Sequence, residues 1–324
     1  MSTDSYLDGF LSLTAPHDSS MCRFLAYVGR PVLANDLLYR PQHSLIERQS
    51  LGAQEMSIPI NGDGFGLSWY DFELDDEPCQ FRSIHPAWSD LNLRFLARKI
   101  KSPMLFAHIR AATPGSLVEE VNCHPFVHGK LTWMHNGMVQ GFRQIRRTLL
   151  RGLGDEAYDA VMGSTDSEHM FALFLNNLEN PSGAVTTDEM VRAMFGMFGD
   201  FNRLLLEHNV REHSYLNFCV SNGRSIVATR YTTNPRVQPA SLYYMFGREF
   251  VADGDRTFMA PDEGQSQAVV IASEPFTSHK SDWVKVTRNS MLIVEEDLTI
   301  RFEEIELPFE KAAFVYEDRF TRND

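Results

Sequence analysis

Short apolar runs rich in β-branched and aromatic residues recur along the chain, each bounded by Gly, Asn, Asp or Pro. The first group predicts strands at 22–28 (CRFLAYV), 65–71 (FGLSWYD), 104–110 (MLFAHIR) and 131–135 (LTWMH). A later group predicts strands at 215–221, 225–231, 242–247, 268–273 and 290–295. Between the groups the apolar period lengthens to that of a helix. Phe142, Ile145, Leu149 and Leu150 share one side of 141–152, and Met170, Phe171, Leu173, Phe174 and Leu178 one side of 166–178. Met190, Met194, Phe198, Phe201 and Leu205 form a stripe over 187–208, opened by the capping box Thr186-x-x-Glu189. Strands, then helices, then strands predict an α+β layered fold with helices packed outside. No linker interrupts the pattern, so one domain is expected.

Composition narrows the partners. With 43% hydrophobic residues over 324 positions, the chain can bury a proper core. A net charge of -13 argues against a sequence-independent grip on nucleic-acid phosphates or anionic lipid. No run approaches the length of an apolar membrane span. The four cysteines (Cys22, Cys79, Cys123, Cys219) are widely spaced without C-x-x-C, which disfavours a disulfide framework or a metal site and fits a reducing cytoplasm. The first twenty residues lack a basic start and an unbroken apolar stretch, so they are not a signal peptide.

Several short stretches carry chemistry-bearing residues, and each also has an ordinary structural explanation. Cys22 heads an apolar strand, where cysteine usually serves as a small buried hydrophobe. In NGDGFGL (61–67) the glycines make a turn into a strand and also permit close approach of another backbone. Arg110 ends the strand of AHIRAATPG. It is either a surface arginine or a fork for a ligand carboxylate, assisted by the Thr113 hydroxyl. Asn136-Gly137 reads first as a hairpin turn, and alternatively as an oxyanion hole. Cys123 and His124 are adjacent, so as strand neighbours they point to opposite faces and do not pair. Thr165-x-x-Glu168 is a capping box that leaves Asp166 at the first helical position, favoured by the helix dipole and equally able to receive an ammonium.

The order of these motifs (M-C-R-F-L, D-G-F-G, H-x-R-x-A-T, N-x-H-P-F, H-N-G, T-D-S-E) resembles that of the class II glutamine amidotransferases. The match is motif by motif from Met21 to about Asn180, and weaker at 271–276, Trp283 and 289–300. Within the family, the stretches at 21–29, 40–50 and 61–70 look closest to the branch of Dug-type and ergothioneine-pathway hydrolases. The resemblance implies a four-layer αββα sandwich of the N-terminal-nucleophile hydrolase type, and no cofactor. It implies that Cys22 attacks a γ-glutamyl amide with its own α-amino group as base, and that Asn136 and Gly137 form the oxyanion hole. Arg110 and Thr113 would hold the substrate α-carboxylate and Asp166 the α-ammonium. His124, on the family's H-P position, would contribute as a structural or substrate-contacting residue. The family's R-W-A-T is here Arg110-Ala-Ala-Thr113, which removes a bulky wall residue.

That chemistry needs a free amine on Cys22, because a peptide nitrogen is not basic. Residues 1–21 are therefore expected to be a leader, mis-start or pro-segment, with an amidotransferase-type domain at 22–310 and a tail at 311–324. The expected substrate is a small γ-glutamyl compound (glutamine, glutathione or a γ-glutamyl derivative), hydrolysed to glutamate. No length remains for a synthase domain, so a stand-alone hydrolase or one working with a separate peptidase-like or acceptor subunit is implied. A non-catalytic regulatory subunit with the same fold is the alternative.

Overall fold

The computed structural model describes residues 22–51, 61–112, 116–234, 236–254, 256–261, 267–277 and 279–306. In chain order the strands are β1 (Arg23–Leu33), β2 (Phe65–Tyr70), β3 (Pro78–Ser83), β4 (Lys101–Ile109), β5 (Phe126–His128), β6 (Leu131–Met138), β7 (Tyr215–Ser221) and β8 (Ile226–Arg230). They continue with β9 (Tyr243–Gly247), β10 (Phe250–Asp253), β11 (Arg256–Met259), β12 (Ala268–Ala272), β13 (Val284–Lys285), β14 (Ser290–Val294) and β15 (Ile300–Glu304). The helices are α1 (Ala34–Leu38), α2 (Leu91–Ala97), α3 (Phe142–Arg151), α4 (Asp155–Asp159), α5 (Asp166–Leu175) and α6 (Thr187–Glu207).

Two antiparallel sheets form the centre. One runs β13-β9-β12-β1-β4-β2-β3 and the other β15-β14-β8-β7-β6-β5, with β10-β11 as a separate ribbon. The alternation within β1 shows how the layers are made. Phe24, Ala26 and Val28 face the second sheet, where they meet Met134, Cys219, Ala228 and Leu292. Leu25 and Tyr27 point the other way, into a core shared with Ala34 and Leu37 of α1 and Leu93 of α2. On the far side of the second sheet, Trp133, Phe218 and Ile293 pack against Ile145, Phe174, Met194 and Phe198 from α3, α5 and α6. Side chains of period two on the strands thus serve two cores at once. The layer order is helix, sheet, sheet, helix, the αββα sandwich expected.

The helix ends follow local chemistry. Thr186 and Glu189 make the full capping box of α6. Thr165 also caps α5, its hydroxyl accepting the Glu168 N–H at 3.3 Å, but the reciprocal half is absent. The Glu168 carboxylate reaches further back, accepting the N–H groups of Met162 (3.0 Å) and Gly163 (2.7 Å). It ties the incoming loop to α5 and so fixes where Asp166 stands.

Asn136-Gly137 is not a turn. Both residues lie inside β6 and pair with Asn217 and Leu216 of β7. The local turn preference yields to a neighbouring strand that holds the segment extended.

Candidate active site

The ends of β1, β4 and β6 meet the N-terminal turn of α5 at a cleft of about 520 Å³. Cys22, Arg110, His124, Gly137 and Asp166 all line it. Asn136 is buried beside it, 1% exposed. Thr113 lies outside the described residues. Residues 1–21 and 307–324 lie outside them as well.

Cys22 stands at the head of β1. Its sulfur accepts the Ala111 N–H at 3.4 Å and lies 3.6 Å from the Ala111 carbonyl oxygen. Burial pushes the thiol up to about 11, against the opposing pull of the Ala111 N–H, Arg110 and Arg23. The resting sulfur is therefore protonated at neutral pH. It needs a base before it can attack.

The glycine-rich turn shapes the segment that carries Arg110. The Arg110 N–H donates to Gly64 O at 2.8 Å, and the Asp63 N–H to Arg110 O at 3.1 Å. The Asp63 carboxylate accepts the Ala112 N–H at 2.8 Å. On the other side of the turn, a Cβ at Gly66 would sit 2.3 Å from the His124 carbonyl oxygen, and one at Gly64 2.6 Å from Cys123 Sγ. The close approach expected of these glycines is that of the NCHPF segment, whose His124–Pro125 bond is cis. Cys123 turns away toward Ser83 O and Glu119 O, and does not meet the His124 ring.

Arg110 is buried, and its guanidinium donates to Leu117 O (3.0 Å), Ser116 Oγ (3.4 Å) and Asp63 O (3.5 Å). The Asp166 carboxylate accepts the Val139 N–H at 2.7 Å and the Ser167 N–H at 2.8 Å. It thereby clamps the end of β6 to the start of α5.

Three buried histidines support the floor of the cleft; all three fall in the quoted motifs, and only His124 was given a role there. His135 Nε2–H donates to Tyr215 O (2.9 Å), so His135 Nδ1 accepts from Ser167 Oγ (2.9 Å). The His135 backbone N–H approaches His124 Nδ1 at 3.4 Å, which makes that nitrogen an acceptor. His108 Nε2–H then lies 2.9 Å from His124 Nδ1 and 3.2 Å from His135 O. This chain of bonds leaves the proton of His124 on Nε2, without a protein acceptor among the described residues, at a ring that lines the cleft. Burial lowers all three, His108 to about 3, so all are neutral near pH 7.

The contacts of a second group were not legible from the motifs that hold Arg23 and Glu274. Arg23 donates from Nη1 to Cys22 O (2.9 Å) and from Nη2 to Glu274 Oε1 (2.9 Å). The other carboxylate oxygen lies 3.4 Å from His43 Nε2. The carbonyl of the thiol-bearing residue is thus fixed by a buried ion pair.

Comparison with known proteins decides the family. The family profile described as "Glutamine amidotransferases class-II" matches residues 44–313. The chain belongs to the class II glutamine amidotransferases. It is 39% identical over 295 residues to the "Probable glutamine amidotransferase DUG3" of Saccharomyces cerevisiae, spanning 85% of this chain and 82% of that protein. The "Gamma-glutamyl-hercynylcysteine sulfoxide hydrolase" of Mycobacterium tuberculosis is 29% identical over 119 residues, 37% of this chain and 50% of that one. Among solved structures, a glutamine aminotransferase class-II domain protein from Silicibacter pomeroyi superposes with a TM-score of 0.60 at 26% identity. It covers 87% of this chain and 98% of its own. Within this family the αββα sandwich is the expected frame, and the cleft lies at the strand ends that carry the amidotransferase motifs.

Proposed function

We propose that this class II amidotransferase chain hydrolyses a γ-glutamyl amide through Cys22 once residues 1–21 are absent, within an N-terminal-nucleophile domain spanning 22–310. The observation that carries the reading is the convergence of Cys22, Arg110, Gly137 and Asp166 on one cleft.

The substrate α-carboxylate lies on Arg110, with Thr113 assisting, and its α-ammonium on Asp166. The neutral Cys22 thiol passes its proton to its own α-amine, and the sulfur attacks the γ-carbonyl carbon. The carbonyl oxygen gains charge opposite the Asn136 amide and the Gly137 N–H. Collapse breaks the C–N bond, the departing nitrogen takes the proton from the protonated α-amine of Cys22, and a γ-glutamyl thioester remains. Water adds to the thioester, giving its proton back through the same amine. Glutamate leaves and the thiol is restored. Loss of this acid–base group costs about 10²–10⁴-fold, which is why the leader must be gone.

The names of the relatives support the branch: one is a probable glutamine amidotransferase, the other acts on a γ-glutamyl derivative. We assign glutathione, glutamine or a γ-glutamyl cysteine derivative as the substrate. A separate peptidase-like or acceptor chain is the partner the branch brings with it. The free cysteines among the described residues support a cytoplasmic setting.

The test is glutamate release by the chain beginning at Cys22, assayed on glutamine, glutathione and γ-glutamyl cysteine derivatives, with Cys22→Ala as control. Release by the parent and none by the variant is expected. Silence of the truncated parent on every compound points instead to a non-catalytic subunit, and full activity with residues 1–21 attached overturns the free-amine mechanism.

A further inference from the structure

Ser273 lies one residue beyond β12 and is 1% exposed. Its N–H donates to Phe24 O at 3.1 Å. Its hydroxyl oxygen accepts the Phe24 N–H at 3.0 Å. The pairing of β1 with β12 therefore continues past its last register pair, Leu25 with Ala272, to within two residues of Cys22. The Ser241 hydroxyl donates to Ser273 O at 2.9 Å. The serine is anchored on both sides.

Asn136 reaches this hydroxyl from the second sheet, its amide nitrogen 3.1 Å from Ser273 Oγ. With the nitrogen on that side, two groups fail. The buried Asn136 Oδ1 has no hydrogen-bond donor among the described residues. The Ser273 hydroxyl receives two N–H groups, and its own proton has no acceptor among the described residues. A buried polar group left so costs about 1–3 kcal/mol. The two ends of an amide have the same shape, and the hydrogen-bond network decides between them. Turning the amide over places Oδ1 against Ser273, which then gives it the idle proton while still accepting from Phe24. The Ser273 proton is then satisfied, so one unpaired group remains in place of two.

The turned amide leaves Nδ2–H in the buried position opposite, unpaired at rest. A preorganised, unpaired N–H is what a developing oxyanion requires, whereas a carbonyl oxygen in that place would repel it. We infer that Ser273 is a positioning residue for the amidase chemistry, its hydroxyl fixing the Asn136 amide with the N–H toward the reacting oxygen. The inference rests on the proposed role of Asn136 in the oxyanion hole. The selection is made by a single proton: with Phe24 already donating to the serine oxygen, the remaining O–H takes only an oxygen partner.

The test is a double-mutant cycle on the chain beginning at Cys22. Asn136→Ala should lower kcat about 10²–10³-fold, the loss expected for one oxyanion donor. Ser273→Ala should lower kcat about tenfold or more with KM nearly unchanged, and the double variant should be no slower than Asn136→Ala alone. A Ser273→Ala enzyme with parental kcat overturns the inference, as does a double variant in which the two losses multiply, the sign of a purely structural role through Phe24. Neutron diffraction of the full-length chain reads the amide directly and needs no turnover. Deuterons on the Asn136 atom turned away from Ser273 are expected, and deuterons of that amide pointing at Ser273 overturn the inference. If the parent releases no glutamate from any γ-glutamyl compound, the functional reading fails by itself, and the neutron map still decides the amide.

Discussion

Arg23 Nη2 lies 2.9 Å from Glu274 Oε1, with the side chains only 3% and 1% exposed. They sit 251 residues apart in the chain, yet the pair is in contact with the carbonyl of Cys22. Removing one partner of a buried ion pair leaves a charge stranded in a poorly polarisable interior, a cost of about 3–5 kcal/mol. Glu274→Ala should lower unfolding stability by that order in urea, and kcat should fall with it as the Cys22 backbone loosens. Glu274→Gln preserves the shape and should cost less in both measurements.

Acid should unfold the protein through its histidines. Burial keeps His108, His124 and His135 neutral, with His108 titrating at about 3 instead of its ordinary 6.5. The unfolded chain binds those protons more readily, so their contribution to stability is whole above about pH 6.5 and is lost as pH falls toward 3. Unfolding midpoints in urea should decline steeply across that window. A His108→Gln variant should show a shallower decline, and an unchanged slope would refute the assignment.

The buried thiol of Cys22 is held at about 11, above its ordinary 9.0. The part of stability linked to it is present below pH 9 and disappears as pH rises from there toward 11. Alkylation of Cys22 by iodoacetamide in the full-length chain, followed by peptide mass, should climb over the same interval. In a chain that begins at Cys22 the neighbouring α-ammonium should shift the climb to lower pH.

Gly137 tolerates no side chain. A Cβ there would lie 1.9 Å from the Tyr215 carbonyl oxygen and 2.6 Å from His135 Nε2. One obstacle is backbone in a paired strand, so the clash cannot be relieved by a rotamer change. Gly137→Ala should destabilise by about 3 kcal/mol, the upper part of the overpacking range, and abolish glutamate release. Differential scanning calorimetry together with the glutamate assay checks both.

Much of this arrangement was legible in advance because it is written in local periodicity. Phe24 and Leu25 alternate between two cores, and Phe198 and Phe201 lie on one helix stripe, as their spacing predicts. The short polar strands β3, β13 and β15 gave no such signal, since their partly exposed positions carry little apolar alternation. Asn136-Gly137 misled in the direction of its turn propensity, which the pairing with β7 overrides. Arg23, Ser273 and Glu274 fall within quoted motifs, yet their roles were hidden for a different reason. Those roles come from contacts across more than one hundred residues, and nothing in the neighbourhood of an Arg, Ser or Glu announces a distant partner.

The guanidinium of Arg110 already has oxygen partners in the resting protein, chief among them the Leu117 carbonyl at 3.0 Å. In the proposed pose an arriving ligand either takes the N–H groups these oxygens leave over or displaces one of the neutral oxygens. An ionised carboxylate makes a bond roughly twice as strong as the one it displaces, whereas an uncharged amide at that position would swap one carbonyl for its equal. Under that pose, a ligand lacking the negative charge gains little wherever it displaces such an oxygen, so the fork favours carboxylates before any chemistry begins.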